Sequence, residues 1–87
     1  MSIKMISKDL SCSYTFRLIT NIPIVGEEYV TKEGNTETII EVTEMDMDQL
    51  VCLTGNKQQY RCFIIMTSKN GKYDNKNFNV WFVAVTD

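Results

Sequence analysis

Two stretches in the last third of the chain are strongly apolar on both faces, and they constrain the fold most. They are residues 60–67 and 78–85. A strand with one solvated face alternates apolar and polar side chains. Here both parities are apolar, with Cys62, Ile64, Phe63 and Ile65 in the first stretch and Val80, Phe82, Trp81 and Val83 in the second. Both faces must therefore be buried, by a tightly curled sheet or by a partner, and the pattern leaves open whether Trp81 or Phe82 faces the core.

The remaining signals predict an all-β chain. Residues 11–19 alternate as expected for a strand buried on one side, and Pro23 and Gly26 mark the loop after it. Further strands are predicted at residues 28–32, 36–43, 49–54 and 59–67, with turns at 33–35 and 55–57. This spacing of short strands predicts one domain, residues 1–87, built as a small antiparallel barrel or sandwich of five to six strands.

Three segments allow more detailed expectations. In residues 36–43 we expect Ile40 and Val42 to point inward, and Glu37 and Glu41 to point outward or to face the sheet edge. Asn70-Gly71 is a hairpin signal, but a two-residue turn there would place core residues opposite asparagines, so a loop of about ten residues is expected instead. The first ten residues fit either a strand or one helical turn.

The segment Ile22-Pro23-Ile24-Val25-Gly26-Glu27, followed by a short strand, a turn at Gly34 and a longer strand, resembles the entry to SH3-like small β-barrels of short bacterial and phage proteins. The resemblance covers roughly residues 20–54. It implies an SH3-like barrel fold, and it implies no particular activity, because one small fold serves many functions.

Composition and cysteine usage indicate a cytoplasmic protein. The chain has 87 residues and no apolar run near the ~20 residues that cross a bilayer, so we expect no membrane association. Its first residues lack the apolar stretch of a signal peptide. The cysteines are odd in number and lie in strand-like segments, which favours reduced thiols; a cross-strand Cys52–Cys62 bridge is the alternative.

Several kinds of catalytic chemistry are excluded or disfavoured. The chain has no histidine, so Ser–His–Asp and Cys–His arrangements are impossible. There is no C-x-x-C pair for zinc, and no glycine-rich phosphate loop. Asp46 and Asp48 lack the further ligands of a calcium loop. We expect no enzyme activity, no metal site and no cofactor.

Charge is distributed unevenly along the chain, although the net charge is only −2. Residues 27–48 hold eight acids and one base, whereas residues 57–76 hold five bases and one acid. Such polarity suits two solvated faces that attract each other within the fold, or else head-to-tail self-association or an acidic surface presented to a basic partner. The candidate partner-binding residues are Glu41, Glu44, Asp46, Asp48 and Trp81.

These observations favour a non-catalytic binding module that acts as a homo-oligomer. Composition suggests an accessory protein of a phage or mobile element that sequesters or inhibits a host factor. That factor is either a basic protein or an anionic small molecule such as a nucleotide, for which the candidate ligand-binding residues are Arg61, Lys69, Lys72 and Tyr73. The alternatives are a structural subunit of an assembly, or a barrel that binds single-stranded nucleic acid, against which the acidic net charge argues.

Overall fold

The computed structural model describes residues 2–46, 50–52, 59–73 and 76–86, and within these ranges the chain is all-β. Its strands are β1 (Ser2–Ser7), β2 (Ser13–Ile19), β3 (Glu28–Val30), β4 (Thr36–Glu44), β5 (Leu50–Cys52), β6 (Tyr60–Ser68) and β7 (Asn79–Thr86). None of these ranges contains a helix with the length and apolar character that a bilayer crossing requires.

The strands form one mixed sheet in the order β3-β4-β6-β7-β2-β1-β5, and this sheet is not closed into a barrel. The prediction of a purely antiparallel sheet with five to six strands was therefore wrong in two respects. Residues 2–7 form a seventh strand, and β7 pairs with β2 in parallel, with Arg17 opposite Val83 and Ile19 opposite Val85. The parallel pairing gives β7 a neighbour on each side, and so keeps this two-faced apolar strand in the interior.

The strands β6 and β7 separate two apolar clusters. Cys62 pairs with Ala84, and these two residues lie on what we call the cysteine face of the sheet. Around them pack Ile3, Met5, Phe16 and Tyr60, all buried. Met45, just after β4, and Leu50 in β5 pack onto the same cluster, so the sheet curls until the end of β4 meets its far edge. This curling covers the cysteine face from within the chain.

The opposite side, here the tryptophan face, carries Phe63, Ile65, Val83 and Trp81. Tyr29 in β3 packs onto this cluster, and its ring lies 5.7 Å from the Trp81 ring although β4 and β6 separate their strands. The edge strand β3 therefore folds back over the tryptophan face. The sequence left open whether Trp81 or Phe82 faces the core. Both side chains do, because Phe82 packs onto the cysteine-face cluster and Trp81 packs onto the tryptophan-face cluster.

A β-bulge in β4 decides which of its side chains are buried. The register shifts between Ile39 and Glu41, so that Ile39 and Val42 both reach the tryptophan-face cluster. Glu41 is exposed, as expected. Glu37 was expected to point outward and is instead buried. A strict period of two cannot anticipate this, because the bulge reverses the parity partway along the strand.

The strand β5 pairs with β1 and lies at the edge of the sheet, with Met5 opposite Cys52. The strands β5 and β6, which fall within the predicted strands 49–54 and 59–67, are therefore not neighbours in the sheet, and the predicted turn at 55–57 lies outside the described residues. Cys62 keeps its thiol, whose Sγ donates to Met5 Sδ over 3.8 Å. The alternative Cys52–Cys62 bridge is thus not formed.

The other predicted connections are confirmed. Ten residues, 69–78, connect β6 to β7. Gly34 adopts a positive φ of 83° in the turn between β3 and β4, where its amide donates to the Thr31 carbonyl.

The turn between β1 and β2 is organised by one carboxylate. Asp9 accepts hydrogen bonds from Ser7 Oγ at 2.7 Å, Ser11 Oγ at 2.6 Å and the Ser11 amide at 3.0 Å. These donors favour the ionised form, the Ser11 hydroxyl most, and lower the pKa of Asp9 to about 2. The turn is therefore tightest when Asp9 is charged.

Two-sided burial predicts that truncation on either face destabilises the protein. Ile65→Ala on the tryptophan face and Phe16→Ala on the cysteine face should each lower the free energy of unfolding by about 2–5 kcal/mol, because both residues are fully buried. Urea unfolding followed by circular dichroism measures this. Val25→Ala, at an exposed position, is the control. If the urea midpoint of either core variant equals that of the parent, the corresponding face of the sheet is not part of the hydrophobic core.

The turn at Asp9 predicts a pH dependence of stability. A carboxyl whose pKa is lower in the folded state stabilises that state above its ordinary pKa of 3.8, and this contribution is lost as pH falls toward 2. Asp9→Asn should therefore be less stable than the parent at pH 7, and the difference should shrink between pH 4 and pH 2. Urea midpoints across this range test it. If the difference in stability between Asp9→Asn and the parent does not change with pH, the charge of Asp9 does not contribute to the stability of the turn.

Candidate functional site

A cleft opens where β2 and β7 diverge. The two strands pair only from Arg17 and Val83 onward, so their first halves leave a gap next to Trp81. The gap forms a cavity of about 570 Å³, which we call the Trp81 cleft. Its principal lining residues are Ser2, Thr15, Arg17, Tyr29, Lys32 and Trp81.

Arg17 is held in place at this cleft by β3. Its Nη1 donates to the Val30 carbonyl at 2.7 Å and to the Tyr29 hydroxyl at 3.2 Å, and its guanidinium lies 5.5 Å from the centre of the Tyr29 ring. In the described part of the chain, no carboxylate lies within ion-pairing distance of Arg17. The cation is thus fixed by neutral groups, and its charge is not neutralised by a protein anion.

Trp81 is held by a chain of hydrogen bonds. Its Nε1 donates to Thr67 Oγ1 at 2.8 Å, and the Thr67 hydroxyl donates in turn to Glu37 Oε1 at 2.6 Å. Asn79 Nδ2 donates to both carboxylate oxygens of Glu37 at 3.0 Å. Because these partners lie on β4, β6 and β7, the orientation of the indole depends on the alignment of three strands.

Glu37 is the residue that sequence reasoning missed. It is 3% exposed, and Thr67 and Asn79, which donate hydrogen bonds to its carboxylate, are neutral side chains. A buried carboxylate is tolerated only when hydrogen bonds replace its hydration. The available signal was the pair Thr67 and Asn79, which are polar residues opposite each other at the ends of two otherwise apolar strands.

Lys32 completes the cleft. It is exposed in the turn after β3 and lines the same cavity as Arg17. The Trp81 cleft therefore presents two cations beside the aromatic residues Tyr29, Trp81 and Phe82. Cations of this kind bind phosphate or carboxylate groups, and aromatic rings bind planar ones, so the arrangement suits a ligand that carries both.

The candidate ligand-binding residues are not brought together as one set. Arg61 lies at the start of β6 and Lys69 just beyond its end, so about eight extended residues, or roughly 26 Å, separate them. Lys72 and Tyr73 lie with Lys69 in the connection to β7, where the Tyr73 ring stacks on Phe78 with centroids 5.7 Å apart. The three loop residues remain candidates as a group, at a distance from Arg61.

Arg61 and Glu44, which the sequence assigned to different sites, form an ion pair across β4 and β6. Arg61 Nε lies 2.9 Å from Glu44 Oε2, and Nη2 lies 2.7 Å from Oε1. The hydrogen bond from Arg61 lowers the pKa of Glu44. Both side chains are more than one third exposed, so solvent screens the pair and its effect on stability is small. Its consequence for function is that each group already has a partner within the chain.

The candidate partner-binding residues are also dispersed. Glu41 and Asp46 are exposed in and after β4, and Asp48 lies outside the described residues. Trp81 is half-buried on the tryptophan face. It therefore belongs with the cations of the Trp81 cleft and not with the acidic segment.

A second cleft, which we call the Phe78 cleft, lies next to the start of β7. Its volume is about 400 Å³, and its lining residues are Lys69, Asn70, Lys76, Asn77, Phe78 and Asn79. In the described ranges, no group of three or more carboxylate or thiol side chains is arranged to hold a metal ion.

Comparisons with models of protein families, with curated proteins and with solved structures find no match to this chain. The function must therefore be inferred from the geometry of the molecule itself.

The network behind Trp81 predicts a specific effect of one hydroxyl. Thr67→Val should destabilise the protein by about 1–3 kcal/mol, because it removes one of the donors to the buried Glu37 and leaves the indole N–H without its acceptor. It should also change the fluorescence of Trp81, the single tryptophan of the chain. Thr67→Ser, which keeps the hydroxyl, should restore the parent spectrum. If Thr67→Val leaves both stability and spectrum unchanged, the network does not hold the indole.

Proposed function

We propose that the protein is a non-catalytic binding module that holds an anionic small molecule with a planar ring, of which a nucleotide is the simplest model, in the Trp81 cleft. The observation that carries the proposal is the presence of Arg17 and Lys32 beside Tyr29 and Trp81 in one cavity. No carboxylate is among the described residues that line it. The proposed site is formed by other residues than the candidate ligand-binding residues of the sequence analysis, but the class of ligand is the same.

Arg17, Lys32 and Trp81 have different roles in the proposed binding of the ligand. Arg17 Nη1 donates a hydrogen bond to the Val30 carbonyl, and the guanidinium has further N–H donors that can bind a phosphate oxygen. Lys32 adds a second charge from the exposed turn. Trp81 offers a ring whose position is fixed before a ligand arrives, and fixed groups lose less conformational entropy on binding.

Binding without catalysis is the function that this set of residues supports. A general base near neutral pH is usually a histidine, which the chain lacks. The described carboxylates do not line the cleft, and Glu37 is buried and bonded to Thr67 and Asn79. The residues of the cleft are therefore sufficient to bind an anionic ligand, whereas catalysis by proton transfer would need a general base in addition.

We further propose that this protein is of the SH3-like type and that it acts in a phage or mobile element by sequestering a host factor. Arg17 of β2 reaching Val30 of β3 supports a barrel-like course of the strands, since three other strands lie between β2 and β3 in the sheet. Self-association is a separate proposal. Both apolar clusters form within one chain, so burial of β6 and β7 no longer requires a second copy. Native mass spectrometry distinguishes monomer from oligomer.

Titration with adenosine, guanosine, cytidine and uridine monophosphates tests the cleft, with Trp81 fluorescence and the melting temperature as readouts. We expect at least one to bind and to raise the melting temperature. Lys32→Gln should weaken that binding by about tenfold, the effect of losing a hydrogen bond to a charged group. Lys8→Gln removes an equally exposed charge from the turn after β1 and is the matched control. Equal loss in both variants, or no binding at all, would contradict the proposal.

A further inference from the structure

The Trp81 cleft and the Phe78 cleft adjoin on one strand. Asn79 lines the Phe78 cleft and Trp81 lines the other, and one residue separates them on the same face of β7. Two residues of extended strand span about 6.6 Å. Asn79 and Trp81, which line one cleft each, are therefore about 6.6 Å apart along β7.

Both clefts are positively charged, although the protein as a whole is acidic. Their described lining residues include Arg17, Lys32, Lys69 and Lys76 and no carboxylate. The chain contains 11 acids and 9 bases, so four bases and no acid among the described lining residues is a marked segregation of charge. The acidic net charge thus does not argue against a polyanion at this particular surface.

Aromatic rings accompany the charges in both clefts. Trp81 is half-buried in the first, and Phe78 is half-buried in the second. The Tyr73 ring, on a residue that is 64% exposed, stacks on Phe78 with an angle of 24° between the ring planes. The path along β7 therefore offers two separate ring surfaces, each with cations beside it.

We propose that the natural ligand of this path is a single-stranded nucleic acid, whose successive nucleotides occupy the Trp81 cleft and the Phe78 cleft. Proteins that bind single strands combine a positive groove for the phosphates with aromatic rings for unpaired bases. A duplex would not suit, because its bases are stacked on each other. This inference rests on the proposed function, since it takes the Trp81 cleft as the site of one nucleotide.

The test is a length series of oligothymidylate measured by competition against a fluorescein-labelled octanucleotide, with fluorescence anisotropy as the readout. Thymidine monophosphate, the dinucleotide and the tetranucleotide are compared at low salt. We expect the tetranucleotide to bind at least about tenfold more tightly than the monophosphate, because it reaches both clefts. Affinity should fall with added salt, with a logarithmic slope of about −0.7 for each phosphate bound.

Three variants locate the path. Lys69→Gln combined with Lys76→Gln should remove the gain from length and leave monophosphate affinity unchanged. Lys32→Gln should weaken every member of the series. Lys8→Gln, on the turn after β1, should change none. Circular dichroism and urea midpoints establish that each variant is folded before its affinity is compared.

The outcomes separate this inference from the one it rests on. If the monophosphate binds as tightly as the tetranucleotide, the single-strand proposal is wrong and the nucleotide site stands. If length increases affinity but the double lysine variant keeps the increase, the second cleft is not part of the path and the proposal is again wrong. If no member of the series binds and the ribonucleoside monophosphates do not bind either, both proposals fail.

Discussion

The rest of the structure depends on the need to bury both faces of β6 and β7. The sheet meets this need by curling in two directions. On the cysteine face, Met45 and Leu50 bring the end of β4 against the far edge of the sheet. On the tryptophan face, β3 folds back until Tyr29 meets Trp81. Two small clusters replace one larger core, and each buries one side of the same two strands.

The Trp81 cleft is a consequence of this arrangement. Because β7 lies between β6 and β2, its first half is paired on one side only, and the gap toward β2 remains open. The fold of β3 over the sheet then brings Tyr29, Lys32 and the Val30 carbonyl to the rim of this gap. Arg17 joins β2 to β3 where no ladder of backbone hydrogen bonds does. The cation that defines the site therefore also ties β2, in the interior of the sheet, to the edge strand β3.

Polar groups inside the tryptophan face fix the geometry of the cleft. Apolar contacts tolerate small rotations, whereas hydrogen bonds such as Trp81 to Thr67 and Asn79 to Glu37 impose direction. A buried carboxylate without a matching cation is costly unless its donors are well placed. Glu37 thus couples the alignment of three strands to the position of a single ring, which suits a site that must be formed before its ligand binds.

The sequence by itself determined most of the strand content, most of the connections and the two-sided burial of β6 and β7, because these depend on the periodicity of neighbouring residues. It also excluded histidine chemistry, since that depends on composition alone. Only the tertiary structure decided the parallel pairing of β2 with β7, the pairing of β5 with β1, and the burial of Glu37. It likewise paired Arg61 with Glu44 and placed Arg17 and Lys32 beside Trp81. Contacts between strands far apart in the chain, and a bulge that reverses parity, leave no trace in local spacing, and the cleft is made almost entirely of such contacts.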